Sequence, residues 1–180
     1  MNINYNRDNY LSEFSHKTLQ DRYLMPGEDS PQDAFARAAK AFSDDDAHAQ
    51  RLYNYASKLW FMFSTPVLSN GGTTRGLPIS CFLNSVPDSR VGLSEHYDEN
   101  IWLASGGGGI GGCWSSVRSN GVSTSNGSKS TGSIPFMHVV DSQMLAFNQG
   151  VTRRGSYAAY MDISHPEIEE FINMRKTTGG

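Results

Sequence analysis

The sequence predicts an α/β chain in which an N-terminal helical segment is followed by three short strands alternating with helices. Three observations carry this. Apolar residues recur at helical spacing between Asn9 and Ser64. From Ile79 onward, short apolar runs alternate with longer helical stretches, which predicts parallel strands joined by right-handed crossovers. Between the first of those helices and the second strand lies "GGGGIGG", Gly106 to Gly112, a backbone interrupted by only one side chain, that of Ile110.

In order, "YLSEFSHKTLQDRYL" places Leu11, Phe14, Leu19 and Leu24 at helical spacing. Ser30-Pro31 reads as an N-cap followed by proline at the first helical position. The helix behind it puts Phe35, Ala38, Ala39 and Phe42 on one face. A third helix, "DDDAHAQRLYNYASKLWFMF", opens with acids where the helix dipole favours them, and its apolar side is Leu52, Tyr55, Leu59, Met62 and Phe63. Prolines, glycines and Asn-Gly then predict a long structured loop from Ser64 to Pro78. Next come a strand in "ISCFLNSV", a helix in "GLSEHYDENIWLAS", a strand in "GIGGCWSSVR" and a polar loop, "SNGVSTSNGSKSTG". A helix in "IPFMHVVDSQMLAFNQ", a strand in "SYAAYMDI" and a helix in "HPEIEEFINMRK" complete the pattern. The division falls between a helical domain, residues 1–64, and an α/β part, residues 65–180. Three strands are few for a parallel sheet and leave an open apolar edge. The expectation is an incomplete domain.

Bulk composition narrows the function. The chain has 180 residues and a net charge of −3, which gives no electrostatic case for a nucleic-acid partner. No apolar run reaches the ~20 residues that span a bilayer, and the N-terminus has no signal-peptide pattern, so the expected location is cytoplasmic. Two cysteines, Cys81 and Cys113, make no disulfide framework and no zinc spacing, and no metal site is expected. Gly107, Gly109 and Gly112 spell G-x-G-x-x-G, but a helix precedes the motif and a strand follows. That is the reverse of a dinucleotide fingerprint, so tight packing against bare backbone fits better. Arg90, Arg118, Lys129, Arg153 and Arg154 all fall at strand ends or loops, where α/β folds place ligand sites and guanidinium groups meet phosphates.

The stretch "FSTPVLSNGG…LPISCFLNSVPDS", with "GGGIGG" and "NQGVTRRGSYAAYMDISHPEIEEF" behind it, resembles the large catalytic subunit of ribonucleotide reductase over nearly the whole chain. The resemblance implies a ten-stranded α/β barrel, of which this chain carries the preceding helical domain and the first three strands. The helical segment is too short to hold the ATP-binding cone that many members carry ahead of it. The resemblance makes Cys81 one of two thiols that reduce the ribose 2′ position, with Thr65, Ser80 and Gly109 beside the substrate. Asp88, Ser89, Arg90 and Arg118 match the site where a deoxynucleoside triphosphate or ATP selects the base to be reduced. Lys129, in a loop similar in role but shifted in length, is an expected phosphate contact. Gln149, Arg153 and Arg154 belong to the loop that relays effector identity to the active site. The radical cysteine and the second reducing cysteine match nothing in this sequence, and Cys113 reads as structural.

The implied activity is therefore ribonucleotide reduction after completion by a C-terminal part, whether from a split gene, an intein-joined half or a longer chain. The implied partners are that part, a second catalytic subunit, a radical-generating small subunit with a metal, and a thioredoxin- or glutaredoxin-type reductant. Adenosylcobalamin is the alternative radical source, and no cofactor is expected on this chain itself. Two other functions compete: a non-catalytic nucleotide- or partner-binding module, and a thiol oxidoreductase using Cys81 and Cys113.

Overall fold

The computed structural model describes residues 1–147 and 154–176. The chain divides into two compact units, Met1–Ser80 and Cys81–Gly180.

The first unit is helical. A 3₁₀ turn, Tyr5–Tyr10, leads into α1 (Glu13–Arg22), α2 (Pro31–Ala41), α3 (Asp46–Ser57) and α4 (Thr65–Asn70). Ser30 caps α2 as expected: its hydroxyl takes a backbone N–H of the first turn, Asp33 reaches back to the cap, and Pro31 opens the helix. Phe35, Ala38 and Ala39 are fully buried, whereas Phe42, expected on the same face, is the helix's C-cap residue and is exposed; α2 packs against Tyr53 and Ala56 of α3.

Three expectations are corrected here. Phe14 is exposed, and α1 buries only Leu19. The third helix stops at Ser57, and its inward face is Ala49, Tyr53 and Ala56, leaving Tyr55, Leu59 and Met62 exposed. Small alanines flank Tyr53 on the inward face of α3, while Tyr55 on the same helix turns outward. Leu59 ends the helix with φ of 60°. The Leu59 N–H bonds to Ala56 O and the Trp60 N–H to Tyr55 O, a Schellman closure. Lastly, the expected loop from Ser64 contains α4. Its sequence carries Pro66 in the first turn, and Leu68 and Ser69 are buried.

Arg37, on α2, holds α4 in place. Its Nε and Nη2 bind Glu28 at 2.6 and 3.2 Å, Nη1 donates to Leu68 O and Gly71 O, and Nη2 also donates to Tyr23 O. All five guanidinium N–H groups are used, and both ion-pair partners are only 13 % exposed.

The second unit contains β1 (Cys81–Ser85), α5 (Arg90–Ser105), β2 (Gly109–Cys113), α6 (Ile134–Ala146), β3 (Ser156–Tyr160) and α7 (Ile168–Asn173). Strand order is β1-β2-β3, all parallel, as the alternation predicts. This is an open three-stranded sheet behind a helical segment. Parallel register puts Cys81, Gly109 and Ser156 in one row, Leu83, Gly111 and Ala158 in the next, and Ser85, Cys113 and Tyr160 in a third, all on one face. That face is open: Leu83 is 86 % exposed. The opposite face carries Phe82, Asn84, Ile110, Tyr157 and Ala159. Beneath it lies a core that includes Ala104, Trp114, Met137 and Val140.

A buried polar chain ties β1, β3 and Trp114, the residue that follows β2, to α5. The Trp114 indole N–H donates to the Tyr157 hydroxyl at 2.8 Å, and that hydroxyl lies 3.0 Å from His96 Nε2. Asn100 Nδ2 donates to the same ring nitrogen, and Asn84 Nδ2 donates to Asn100 Oδ1. Nε2 thus accepts, and the His96 proton sits on Nδ1, which is buried without a partner among the described residues. Burial pushes the His96 pKa down, against a partial upward pull from Glu99. Burial likewise pushes Tyr157 up to about 12, with the indole donor pulling back in part.

Two outcomes are expected. Arg37→Ala strands the buried Glu28 charge and three carbonyls, so urea unfolding of the first unit should show a loss of about 3–5 kcal/mol. For the second unit, the unfolded chain takes up a proton at His96 below about pH 6.5 that the fold refuses. Stability therefore falls as the pH drops from there through the lowered native pKa. Above pH 10 the unfolded chain releases tyrosine protons that the fold retains up to about 12 at Tyr157 and Tyr97, so stability also falls on the alkaline side. Urea midpoints across pH read both limbs, and Tyr157→Phe should shrink the alkaline one.

Candidate functional site

The glycine block is a packing device. Gly107 has φ of 78° and closes α5, its N–H bonding Ala104 O. A Cβ on Gly108 would lie 2.7 Å from Leu103 O, one on Gly111 2.7 Å from Leu83 Cδ2, and one on Gly112 1.8 Å from the Tyr157 hydroxyl. The block follows a helix and enters a strand, so the dinucleotide order is absent, as the sequence indicates.

At the N-terminal ends of the strands, Cys81 is exposed and is the register partner of Gly109, which pairs in turn with Ser156. Gly109 itself carries no side chain between Cys81 and Ser156, whose Cα atoms stand about 10 Å apart at two strand spacings. Ser80, buried, precedes Cys81 in the chain. Thr65 opens α4, its hydroxyl 3.2 Å from that of Tyr23, on an apolar hollow of about 560 Å³ in the first unit. Cys113 is half-buried, its thiol donating to Ser115 Oγ at 3.4 Å. Cys113 pairs with Ser85, four residues along the strand from the Cys81–Gly109 pair. The two cysteines are thus about 14 Å apart at strand spacings, too far for a disulfide. This geometry removes the reading of the chain as a thiol oxidoreductase using both.

At the C-terminal ends of β1 and β2, Asp88, Ser89, Arg90, Arg118 and Lys129 line one cleft of about 550 Å³. Leu93, Val117 and Phe136 supply apolar wall, and Thr124, Ser125, Ser128, Ser130 and Thr131 supply hydroxyls. Ser89 caps α5, its hydroxyl accepting the Gly92 N–H at 3.0 Å. The polar loop is a small hairpin, with Ser123 bridged to Lys129 and Lys129 Nζ donating to Ser123 Oγ. Arg118 and Asp88 are paired: Nε donates to Oδ2 at 2.8 Å and the Arg118 backbone N–H to Oδ1 at 3.2 Å, while Nη1 reaches Ser123 O. Among the described residues, Nη2 of Arg118 makes no hydrogen bond and Arg90 makes no ion pair. Three cations against one carboxylate, with hydroxyls and an aromatic wall, suit a ligand bearing several phosphates and a flat base.

The structure thus gathers the five residues expected at the effector site into one cleft and sets Cys81 beside Gly109. Thr65 and Ser80 lie in the first unit, Cys81 and Gly109 in the second. Arg154 is exposed, and Gln149 and Arg153 lie outside the described residues. Sequence reasoning missed His165 and Glu167, which hold the cleft's loop from the β3–α7 turn. Glu167 lies 34 residues from its partner Ser133, with no periodic signal between them. Among the described residues no cluster of His, Cys, Asp or Glu fits a metal ion, and no helix is long and apolar enough to cross a membrane.

Two family descriptions match the chain. "Ribonucleotide reductase, all-alpha domain" matches residues 9–76 and "Ribonucleotide reductase, barrel domain" matches residues 79–180. The chain is 42 % identical over 177 residues to the ribonucleoside-diphosphate reductase large subunit of Invertebrate iridescent virus 6, covering 98 % of this chain and 18 % of that protein. It is 35 % identical over 184 residues to the ribonucleoside-diphosphate reductase subunit alpha of Helicobacter pylori, covering 96 % and 23 %. Among solved structures it is similar to the Actinobacillus ureae class Id ribonucleotide reductase alpha subunit. There the TM-score is 0.79 at 27 % identity, with 99 % of this chain and 32 % of that one covered. The chain thus spans between about a fifth and a third of these relatives' length.

One outcome tests the strand geometry. Iodoacetamide should label Cys81 well before Cys113, and mild oxidation should give no internal disulfide, both read by peptide mass spectrometry. A Cys81–Cys113 bridge would contradict the register.

Proposed function

We propose, from the premise that the chain belongs to the ribonucleotide reductase large-subunit family, that it carries the effector-binding cleft and one reducing thiol of that enzyme. The observation that carries this is the convergence of Asp88, Ser89, Arg90, Arg118 and Lys129 on one cationic, hydroxyl-rich cleft. The cleft takes a deoxynucleoside triphosphate or ATP. Phosphate oxygens meet Arg90, Lys129 and the Nη2 of Arg118, while the base rests on Phe136 and Leu93. Asp88 plays two parts here: it fixes the Arg118 guanidinium, and its own charge is neutralised by that pairing before a polyanion arrives.

In the same reading Cys81 reduces the ribose 2′ position as one of a thiol pair, with Thr65, Ser80 and Gly109 against the substrate. The loop with Gln149, Arg153 and Arg154 relays which effector is bound. The remaining barrel and the second reducing thiol come from the C-terminal part of the catalytic subunit. The radical comes from a metal-containing small subunit and the electrons from a thioredoxin- or glutaredoxin-type reductant. The assembly is a cytoplasmic dimer of catalytic subunits.

Arg118→Ala removes a phosphate donor and leaves Asp88 unpaired in the path of the phosphates. Charge-assisted contacts contribute about 1.5–3 kcal/mol each. Calorimetric titration of dATP should therefore show affinity about tenfold to a hundredfold weaker than in the unsubstituted chain. Equal affinity would place the nucleotide elsewhere.

A further inference from the structure

The loop that supplies Arg118 and Lys129 to the cleft has few apolar anchors of its own. Between Arg118 and Ser133, the one large apolar side chain is Val122, which is exposed. Backbone bonds from Gly121 N–H to Ser130 O and from Ser130 N–H to Val122 O close its middle, and Asp88 accepts the Arg118 N–H; the turn between β3 and α7 ties both of its ends to the rest of the unit. His165 Nε2 donates to Val117 O at 2.8 Å, and its Nδ1 accepts the Glu167 backbone N–H at 3.1 Å, so the ring is fixed from both sides. The Glu167 carboxylate then spans the loop. Oε1 accepts the Asn120 N–H at 3.2 Å near the loop's start, and Oε2 accepts the Ser133 N–H at 2.9 Å and hydroxyl at 2.7 Å at its end.

Glu167 is 7 % exposed and Ser133 is fully buried. Ser133 is the N-cap residue of α6, yet its side chain caps nothing. The Glu167 carboxylate instead lies at that helix's N-terminus, where the dipole favours an anion. Its hydrogen bonds come from α6 and the loop, although it is itself the residue preceding α7. Gly132, with φ of 87°, makes room for it: a Cβ there would lie 1.9 Å from Oε1.

We infer that Glu167 is a positioning residue for the cleft: its carboxylate, seated by His165, draws the two ends of the 118–133 loop together and so sets where Arg118 and Lys129 stand. The inference rests on the cleft being the nucleotide site proposed above, but the clamp itself is a property of the chain without ligand. Both carboxylate oxygens face donors. An amide in place of the carboxylate must therefore turn its NH₂ toward either Asn120 N–H or the Ser133 donors, and one side of the clamp opens.

The test uses the 180-residue chain and two readouts. Amide hydrogen exchange without ligand should show Glu167→Gln losing protection across 119–133 more than in the strands, and Ser133→Ala doing the same to a smaller extent. Calorimetry with dATP should show Glu167→Gln binding about tenfold more weakly than the unsubstituted chain. Val140→Ala, a core change in the same unit, serves as the control for general destabilisation and should leave dATP affinity near that of the unsubstituted chain. Unchanged protection of 119–133 in both loop variants overturns the clamp. A loosened loop with dATP affinity equal to that of Val140→Ala overturns its role in the cleft. Failure of the unsubstituted chain to bind dATP overturns the nucleotide reading, and with it the role in the cleft, while the exchange result still decides the clamp.

Discussion

A central strand almost free of side chains is the constraint on which the second unit depends. On the covered face, Gly112 is the space that the Tyr157 hydroxyl occupies. With any Cβ there, Tyr157 could not sit between the Trp114 indole and His96, and the polar chain joining β1, β3 and Trp114 to α5 would break. On the open face, Gly111 lets Leu83 and Tyr160 lie close from the two flanking strands. Gly109 is the register partner of Cys81 and brings no side chain of its own beside it. Gly111 and Gly112 thus serve two different approaches, one on each face, which is why so much backbone entropy is tolerated in one strand.

The same sheet separates two chemistries. The thiol stands at the N-terminal end of β1, and the cationic cleft is built past the C-terminal ends of β1 and β2, where open α/β sheets commonly hold ligands. A parallel sheet is normally covered on both faces. Here one face carries Leu83, Ala158 and Tyr160 in the open. That is the arrangement of strands whose uncovered face lines the inside of a barrel, in keeping with the barrel-domain match over 79–180.

What could be read from the sequence followed the range of the interaction. Local rules were enough for Ser30 and Pro31 at the start of α2, for the three strands, and for the reversed order around G-x-G-x-x-G. The five cleft residues were legible through family resemblance, because their motifs are contiguous or placed at strand ends. Contacts decided at long range were not. Tyr157 and Trp114 are 43 residues apart, and nothing in "SYAAY" marks the first of its two tyrosines as the partner of a glycine on the next strand. The inward face of α3 was missed for a related reason. Counting large apolar residues favours Tyr55 and Leu59, whereas the buried residues of α3 include the small Ala49 and Ala56 on either side of Tyr53.

The ion pairs show how the two units use charge differently. Arg37 and Glu28 are both largely out of water, and the guanidinium has no donor left to offer. Such a pair fixes structure and has nothing further to bind. Arg118 and Asp88 have about a third of each side chain exposed, and one guanidinium nitrogen makes no hydrogen bond among the described residues. A pair of that kind contributes about 1 kcal/mol or less to stability. Its value lies in holding a cation at a known place with capacity to spare. The loop behind it depends on a buried carboxylate, so rigidity and reactivity are assigned to different residues. Glu167 is buried and fully hydrogen-bonded, whereas Arg118, Arg90 and Lys129 stand at the surface with donors facing solvent.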